Sequence, residues 1–386
     1  MLVFIFDLPL VVTGSILLVS LCGFAIGGWL RVRRIVVPRM RIRIADSEFS
    51  GAMVRLIMVF RQAMNLGSPR VSLQSEKPRS RSVVLPALFV AGVILSGEGR
   101  AAFAQEMEPR RWTHLPVGTS IAGVGYVYTD GDVNFDPVTQ IEDAKVQLHT
   151  ILGSYLYYFS LADVTARIEV QVPYQSGQWD GLVGGVPTSV TRDGLADPRI
   201  RFSVSFIGAP ALGAAEYREY YRGREENTVV GASLAVRVPL GEYMDDKLIN
   251  LGENRYSFQP QVGVVHSTGP WSFELTASTT VFTANGDFFG GHRLEQDPLH
   301  SVQVHVVRSF EAGFWVSAGS AYGWAGESEI DGVGKNDDRS NLLYGISAGF
   351  SVASTHSFRA GYIRQDALED VGLDVDHFLL TWSMLF

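Results

Sequence analysis

Arg167, Glu169 and Gln171 stand two residues apart in the stretch Val164-Thr-Ala-Arg-Ile-Glu-Val-Gln-Val172, with Ala166, Ile168, Val170 and Val172 on the alternate positions. Period two sends the charged set to one face of a strand and the apolar set to the other. The same alternation places Arg199, Arg201, Arg237, Gln259, Gln261, Glu274, Gln303, His305 and Arg359 opposite apolar faces. Inside a closed barrel these groups, five arginines against two glutamates, would line a lumen and bias which solutes pass. Their other role would be a polar core whose members bond one another and fill a narrow barrel. Nucleophilic catalysis has candidates in His300, Ser301 and Asn341. Adjacent residues of one strand point to opposite faces, however, so His300 and Ser301 are not expected to pair as base and nucleophile. There is no GxSxG elbow, paired-cysteine metal site or phosphate loop, and Gly184-Gly185 and Gly290-Gly291 do not make one. No cofactor and no metal is expected.

Twelve segments with this period must position those residues, centred near 124, 151, 168, 203, 234, 261, 278, 304, 319, 346, 360 and 381. An even number is what a bacterial barrel requires. The connections between them sort by length. Short turns fall near 160–163, 267–270, 311–313 and 353–356, and long loops at 129–143, 173–197, 239–253, 284–297, 325–339 and 365–375. A transmembrane barrel alternates short periplasmic turns with long external loops, whereas a soluble sandwich gives no reason for such sorting. The connection 208–227 breaks the pattern and could hold a short helix. In the last segment Phe378, Leu380, Trp382, Met384 and Phe386 share one face, apolar throughout and aromatic at both ends, as suits a strand meeting lipid and two interfaces. The first segment, near 120–128, is where this strand should close the barrel, since open edges do not persist in lipid.

Composition agrees with a chain of strands and turns: 40 glycines, 11% aromatic residues and only 19% charged ones, against about a quarter in average soluble proteins. Cys22 is the single cysteine, which rules out an intrachain disulfide. Residues 1–104 hold 13 Lys+Arg against 5 Asp+Glu, leaving 19 against 35 in 105–386, a net of −16. An acidic body argues against nucleic acid as a partner. Residues 8–30 carry no charge and are followed by Arg31, Arg33 and Arg34, the pattern of a membrane-spanning helix with a cytoplasmic basic flank. Residues 62–104 read as a polar linker followed by a signal peptide, with an apolar run at 83–95 and the small-x-small site of Ala102 and Ala104 before Gln105. An export signal behind a membrane helix is hard to use, so the extension 1–61 suggests a start assigned too far upstream or a gene fused to its neighbour.

Several loop motifs add a family resemblance. Pro239-Leu-Gly-Glu-Tyr243, Leu248-Ile-Asn-Leu-Gly-Glu-Asn-Arg-Tyr256, Asn285-Gly-Asp-Phe-Phe-Gly-Gly291, Gln296-Asp-Pro-Leu299, Asp331-Gly332 and Ser340-Asn341 stand in an order and spacing similar to those of the outer-membrane transporters named for a meta-pathway of phenol degradation. The resemblance covers roughly residues 115–386. It implies a porin-like barrel and suggests phenol as a solute. The motif residues themselves, Asn250, Gly252, Asn254, Asn285, Asp287, Gly290, Gly291, Asp297 and Pro298, read first as loop builders that permit left-handed backbone or bond their own chain, and second as a ligand site in external loops. Residues 1–61 loosely resemble the opening of bestrophin-like bacterial membrane proteins. The enzyme to weigh is a twelve-stranded outer-membrane phospholipase, which uses Ser, His and Asn on its outer wall. Together these readings predict an all-β protein: an antiparallel transmembrane barrel of about twelve strands over 105–386, of outer-membrane type, with both ends periplasmic. Its expected partners are outer-membrane lipid, the barrel-assembly machinery and a small solute taken up passively; the alternatives are a purely structural barrel and a lipid hydrolase.

Overall fold

A computed structural model describes residues 107–134, 141–335, 337–352 and 355–386. The apolar stretch 8–30, the linker and signal region 62–104, the site at Ala102, Ala104 and Gln105, and the bestrophin-like stretch 1–61 lie outside the described residues.

The strands, in chain order, are β1 (Ser120–Asn134), β2 (Ile141–Leu161), β3 (Val164–Val183), β4 (Val186–Leu195), β5 (Arg199–Pro210), β6 (Glu226–Arg237), β7 (Ser257–Thr268), β8 (Trp271–Phe282), β9 (Asn285–Phe288), β10 (His292–Gln296), β11 (Leu299–Ser309), β12 (Trp315–Ala325), β13 (Ser328–Ile330), β14 (Val333–Gly334), β15 (Arg339–Val352), β16 (His356–Ala367) and β17 (Gly372–Leu385). One helix, α1 (Ala214–Tyr221), sits between β5 and β6, in the long connection where the sequence allowed for one. Twelve of the strands, all but β4, β9, β10, β13 and β14, pair antiparallel in a ring. Each of the twelve expected segments is one of them. The ring closes where β1 meets β17, with Ile121 opposite Leu385 and Tyr128 opposite Phe378. Beyond the strand, the Ser120 and Phe386 backbones exchange two hydrogen bonds of 3.0 and 2.9 Å. Closure leaves no unpaired edge, the condition for a sheet in hydrocarbon.

Alternation produces two surfaces of opposite character. Outward residues such as Val124, Ile151, Ile200, Leu234, Val262, Leu275, Val304, Ile346 and Leu380 are apolar and exposed. At the end carrying the short turns they give way to aromatic rings, among them Trp271, Phe310, Phe314, Phe350, Phe358, Trp382 and Phe386, and at the other end to Tyr256, Tyr322, Trp324, Tyr344 and Phe378. An apolar band between two aromatic girdles is the exterior of a transmembrane barrel. The lipid-facing set on β17 and the residue after it is as the alternation requires: Phe378, Leu380, Trp382 and Phe386 are exposed, and Met384 is half-buried.

The turns near 160–163, 267–270 and 311–313 are as tight as expected. Ala162 and Asp163 both take positive φ, 48° and 66°, the backbone of a two-residue hairpin whose twist matches its strands. At the other end three of the expected loops are largely strand. β1 and β2 continue pairing as far as Val133 opposite Ala144, the 173–197 connection is a hairpin in which β4 pairs with the outer half of β3, and β16 and β17 leave only 368–371 between them. The connections 284–297 and 325–339 contribute β9, β10, β13 and β14 to a separate four-stranded sheet. Backbone N–H and C=O groups need partners beyond the membrane too, and strand pairing supplies them without any apolar face to mark it in the sequence. β1 begins at Ser120, where the first segment was expected, and 107–119 before it is not strand.

Candidate functional site: the barrel lumen

Inward-pointing Arg167, Glu169, Gln171, Arg199, Arg201, Gln259, Gln261, Glu274, Gln303, His305 and Arg359 are all buried, and Arg237 is partly buried at the loop end. Most face the charged arc of the inner wall formed by β3, β5, β6, β7, β8 and β11. The opposite arc is mixed, with Val127 on β1, Leu152 on β2 and Leu379 on β17 in one apolar cluster that Ile363 joins, beside buried Thr129, Thr150 and His377. What buries the charged arc is the chain itself. Residues 107–115 run through the interior, and Met107, Glu108, Trp112, His114 and Leu115 are buried there.

Glu108 is the node of this segment. Its carboxylate accepts from Arg201 Nη1 at 3.1 and 3.0 Å and from Arg111 Nη1 at 3.0 Å, with Arg199 Nη2 at 3.5 Å. Its backbone N–H donates to Gln303 Oε1 at 2.9 Å. Glu169 stands 3.7 to 3.9 Å from Arg167, Arg201 and Arg111. Arg111 also donates through Nε to Gln261 and through Nη2 to Ser233, both at 3.0 Å. Arg167 donates to the Tyr158 hydroxyl, Arg199 to Gln171, and Gln171 in turn to Glu169. The Arg110 N–H reaches Glu274 at 2.7 Å, Trp112 Nε1–H reaches Thr276 at 2.8 Å, and His305 Nε2–H reaches Gln303 at 3.0 Å. Arg359 makes no hydrogen bond or ion pair among the described residues, and its Nε is buried without a partner.

Toward the turn end the segment is held by α1. His114 donates from Nε2 to the Pro210 carbonyl and accepts at Nδ1 from the Tyr221 hydroxyl, both at 2.9 Å, while Tyr217 donates to the His114 carbonyl at 3.1 Å. Beneath lies a cavity of about 1620 Å³ lined by Trp112, His114, Tyr217, Glu274, Phe310 and Phe314 among others. None of Glu108, Arg110, Arg111, Trp112 and His114 was singled out from the sequence. Their only signal is a charged, non-alternating run directly before the first strand.

The loop motifs build a cap over the other end. Asp197 accepts from the N–H groups of Gly241 and Glu253, both at 2.8 Å. Asn250 accepts from the Met244 N–H and donates to the carbonyls of Met244 and Lys247, closing one turn on itself. Asn285 donates to Tyr243 and to the Glu253 carbonyl and accepts from Asn254 and the Asp287 N–H. Gly252 packs so closely on the Gly241 backbone that a Cβ would stand 2.9 Å from it. Gly290 and Gly291 turn with φ of 89° and 88°; the Asp297 N–H donates to the Glu327 carbonyl, and Pro298 precedes β11. These contacts lower Leu251 and Ile249 onto Trp179, Val146, Leu148, Leu373 and Val375 in the barrel mouth. Burial pushes the Asp197 carboxyl up from its usual range. Burial opposes charge on Glu253 too, but Arg255 and Arg237 outweigh it and hold that carboxyl low.

The catalytic candidates are not brought together. Ser301 is buried on the lumen side, 2.8 Å from the Ser278 hydroxyl, and Asn341 is buried on the same side. His300 bonds Thr279 at 2.9 Å and lies against Trp324 among the girdle rings.

Comparison with solved structures finds the same fold in an outer-membrane channel from Pseudomonas putida F1, at 21% identity and a TM-score of 0.59, with 73% of this chain and all of that one covered. The transport unit of the autotransporter AIDA-I from Escherichia coli aligns at 9% identity and a TM-score of 0.41, over 74% and 94% of the two chains. The TodX monoaromatic hydrocarbon channel, as a deltaS2 mutant, aligns at 10% identity and 0.41, over 70% and 90%. No curated protein sequence matches the chain. Residues 122–371 match the family described as "Putative MetA-pathway of phenol degradation", and the chain belongs to that family.

Proposed function

We propose that this protein is an outer-membrane channel for passive entry of small solutes, aromatic compounds among them, with a lumen that favours anions. The carrying observation is a closed twelve-stranded barrel, apolar outside, whose interior holds more guanidinium groups than carboxylates. Arginines lining a narrow passage attract anions and repel cations of equal size. The family's association with phenol degradation supports an aromatic solute, and the shared fold with an outer-membrane channel supports passage rather than catalysis. His300 and Ser301 on opposite faces also argue against a hydrolase. In this reading the short turns and both barrel termini face the periplasm, and processing after Ala104 leaves Gln105 two residues before the described luminal segment. The Arg167–Arg359 set lines the route, and β17 with Phe386 is what the assembly machinery recognises.

A second reading has support in the filled lumen: a barrel in which the 107–115 network is purely structural. Purified barrel in liposomes separates the two, with influx followed for benzoate, phenol and a sugar and phospholipid breakdown followed alongside. Benzoate and phenol should enter while the lipid stays intact. Exclusion of every small solute would establish the structural reading, and fatty-acid release would establish the hydrolase.

A further inference from the structure

Six buried guanidinium groups face the interior, those of Arg110, Arg111, Arg167, Arg199, Arg201 and Arg359, against three carboxylates, Glu108, Glu169 and Glu274. Excess buried charge of one sign is costly unless an ion of the other sign offsets it. One of the three carboxylates does not belong to the barrel wall. Glu108 is carried by a segment outside the sheet, whereas Glu169 and Glu274 are on β3 and β8. The wall groups around Glu108 also have partners of their own. Arg201 stands opposite Glu169 in the β3–β5 register, Arg199 bonds Gln171, and Arg167 bonds Tyr158. Without the segment, that wall would present three guanidiniums against one carboxylate.

We infer that the arginine cluster of β3 and β5 is a carboxylate-binding site, that Glu108 is its resident occupant, and that a small carboxylic-acid solute such as benzoate takes Glu108's place. The geometry suits this class, because Arg201 Nη1 already bonds both oxygens of one carboxylate while Arg199 approaches from the side. Planar guanidinium groups match planar carboxylates and discriminate against neutral hydroxyls. Displacing Glu108 with nothing in return leaves three buried guanidinium groups sharing the one carboxylate of Glu169. A carboxylate compensates them and a phenol does not, so the site ties release of the segment to the charge of the solute. Only the arrival of solute rests on the channel reading; the site is tested without transport.

The test is chemical rescue of the full chain in detergent. Glu108→Ala deletes the resident carboxylate and leaves space facing Arg199 and Arg201. At matched ionic strength, benzoate should bind E108A about tenfold more tightly than it binds wild type, roughly 1.4 kcal/mol, and should raise the variant's unfolding temperature. Phenol should do neither, and adding Arg201→Gln should remove the gain. If E108A does not fold alone, folding restored by benzoate and not by phenol is the same rescue, and no restoration overturns the proposal. Glu108→Gln, which keeps the volume and loses the charge, should also bind benzoate more tightly than wild type. Equal benzoate affinity in wild type and both variants, or an equal gain for phenol, overturns it. Rescue in a barrel that passes no solute would sink the channel reading and leave this site standing, and permeation without rescue would do the reverse.

Discussion

At Gly263 one carbon atom decides whether the luminal segment fits. A Cβ there would stand 2.0 Å from Trp112 Nε1, and one at Gly231 would stand 2.7 Å from the same ring. Glycine weakens a strand interior and is found there where another group must come close. The same device recurs at Gly177 under Trp179, Gly319 under His305 and Gly349 under Trp315, so rings pack against the inner wall at three more positions that lack a side chain. Gly263→Val should therefore drive Trp112 off the wall and break its bond to Thr276. Overpacking of this kind costs about 1–3 kcal/mol. The expected result is a lower unfolding temperature in detergent together with faster solute entry, measured on the same preparation. Unchanged stability and flux would show that the segment does not rest on this wall. The alternation already sets Gly231, Gly263, Gly319 and Gly349 inside strands, but it gave no sign of the ring that would cover Gly231 and Gly263, because Trp112 is far away along the chain.

Among the elements, β17 has the most demanding role, since it closes the ring against β1 along fourteen paired positions. Phe386, the residue after it, adds two backbone hydrogen bonds to Ser120 and presents an exposed ring beside Tyr155. Removing Phe386, or replacing it with Asp, should leave the barrel unassembled in cells, as scored by loss of the heat-modifiable, protease-resistant band. Normal levels of that band would mean that the strand closes without its terminal ring. Elements of this kind were legible: a lipid-facing strand must be apolar on one face and tolerate polar groups on the other, so all twelve announce themselves by period two. Above the membrane that requirement ends. β4 and the four-stranded sheet answer mainly to backbone pairing, and in the outer half of β3 only Trp179 among the inward residues is apolar, so the sequence shows no apolar face there. The segment 107–115 left still less trace, because its order comes from hydrogen bonds and ion pairs to six different strands rather than from its own pattern. The loop motifs were legible as loop builders through their residue types, but nothing in them showed that Leu251 and Ile249 turn inward to the mouth.

For the whole molecule, the separation of charge is the property most relevant to passage. The body from residue 105 onward carries a net of −16, yet its interior is positive. A lumen charge can be changed safely only where no buried partner is left behind, and this condition separates the arginines. Reversing Arg201 would set a new carboxylate against Glu108 and Glu169, and breaking such a buried pair costs about 3–5 kcal/mol. That substitution tests folding, not selectivity. Arg237 is tied to Glu253 at 3.4 Å, so reversing it disturbs the cap. Arg359 is different: it faces the lumen from β16, bonds no described residue, and has a buried Nε without a partner. Arg359→Gln should therefore keep the unfolding temperature within a few degrees of wild type while lowering the preference for anions. Reversal potentials across planar bilayers under a salt gradient give that preference directly. A shift toward zero for the variant, with single-channel conductance retained, is the expected outcome. An unchanged reversal potential would mean that solutes do not pass Arg359, and that the anion preference, if the wild type shows one, is set elsewhere along the barrel.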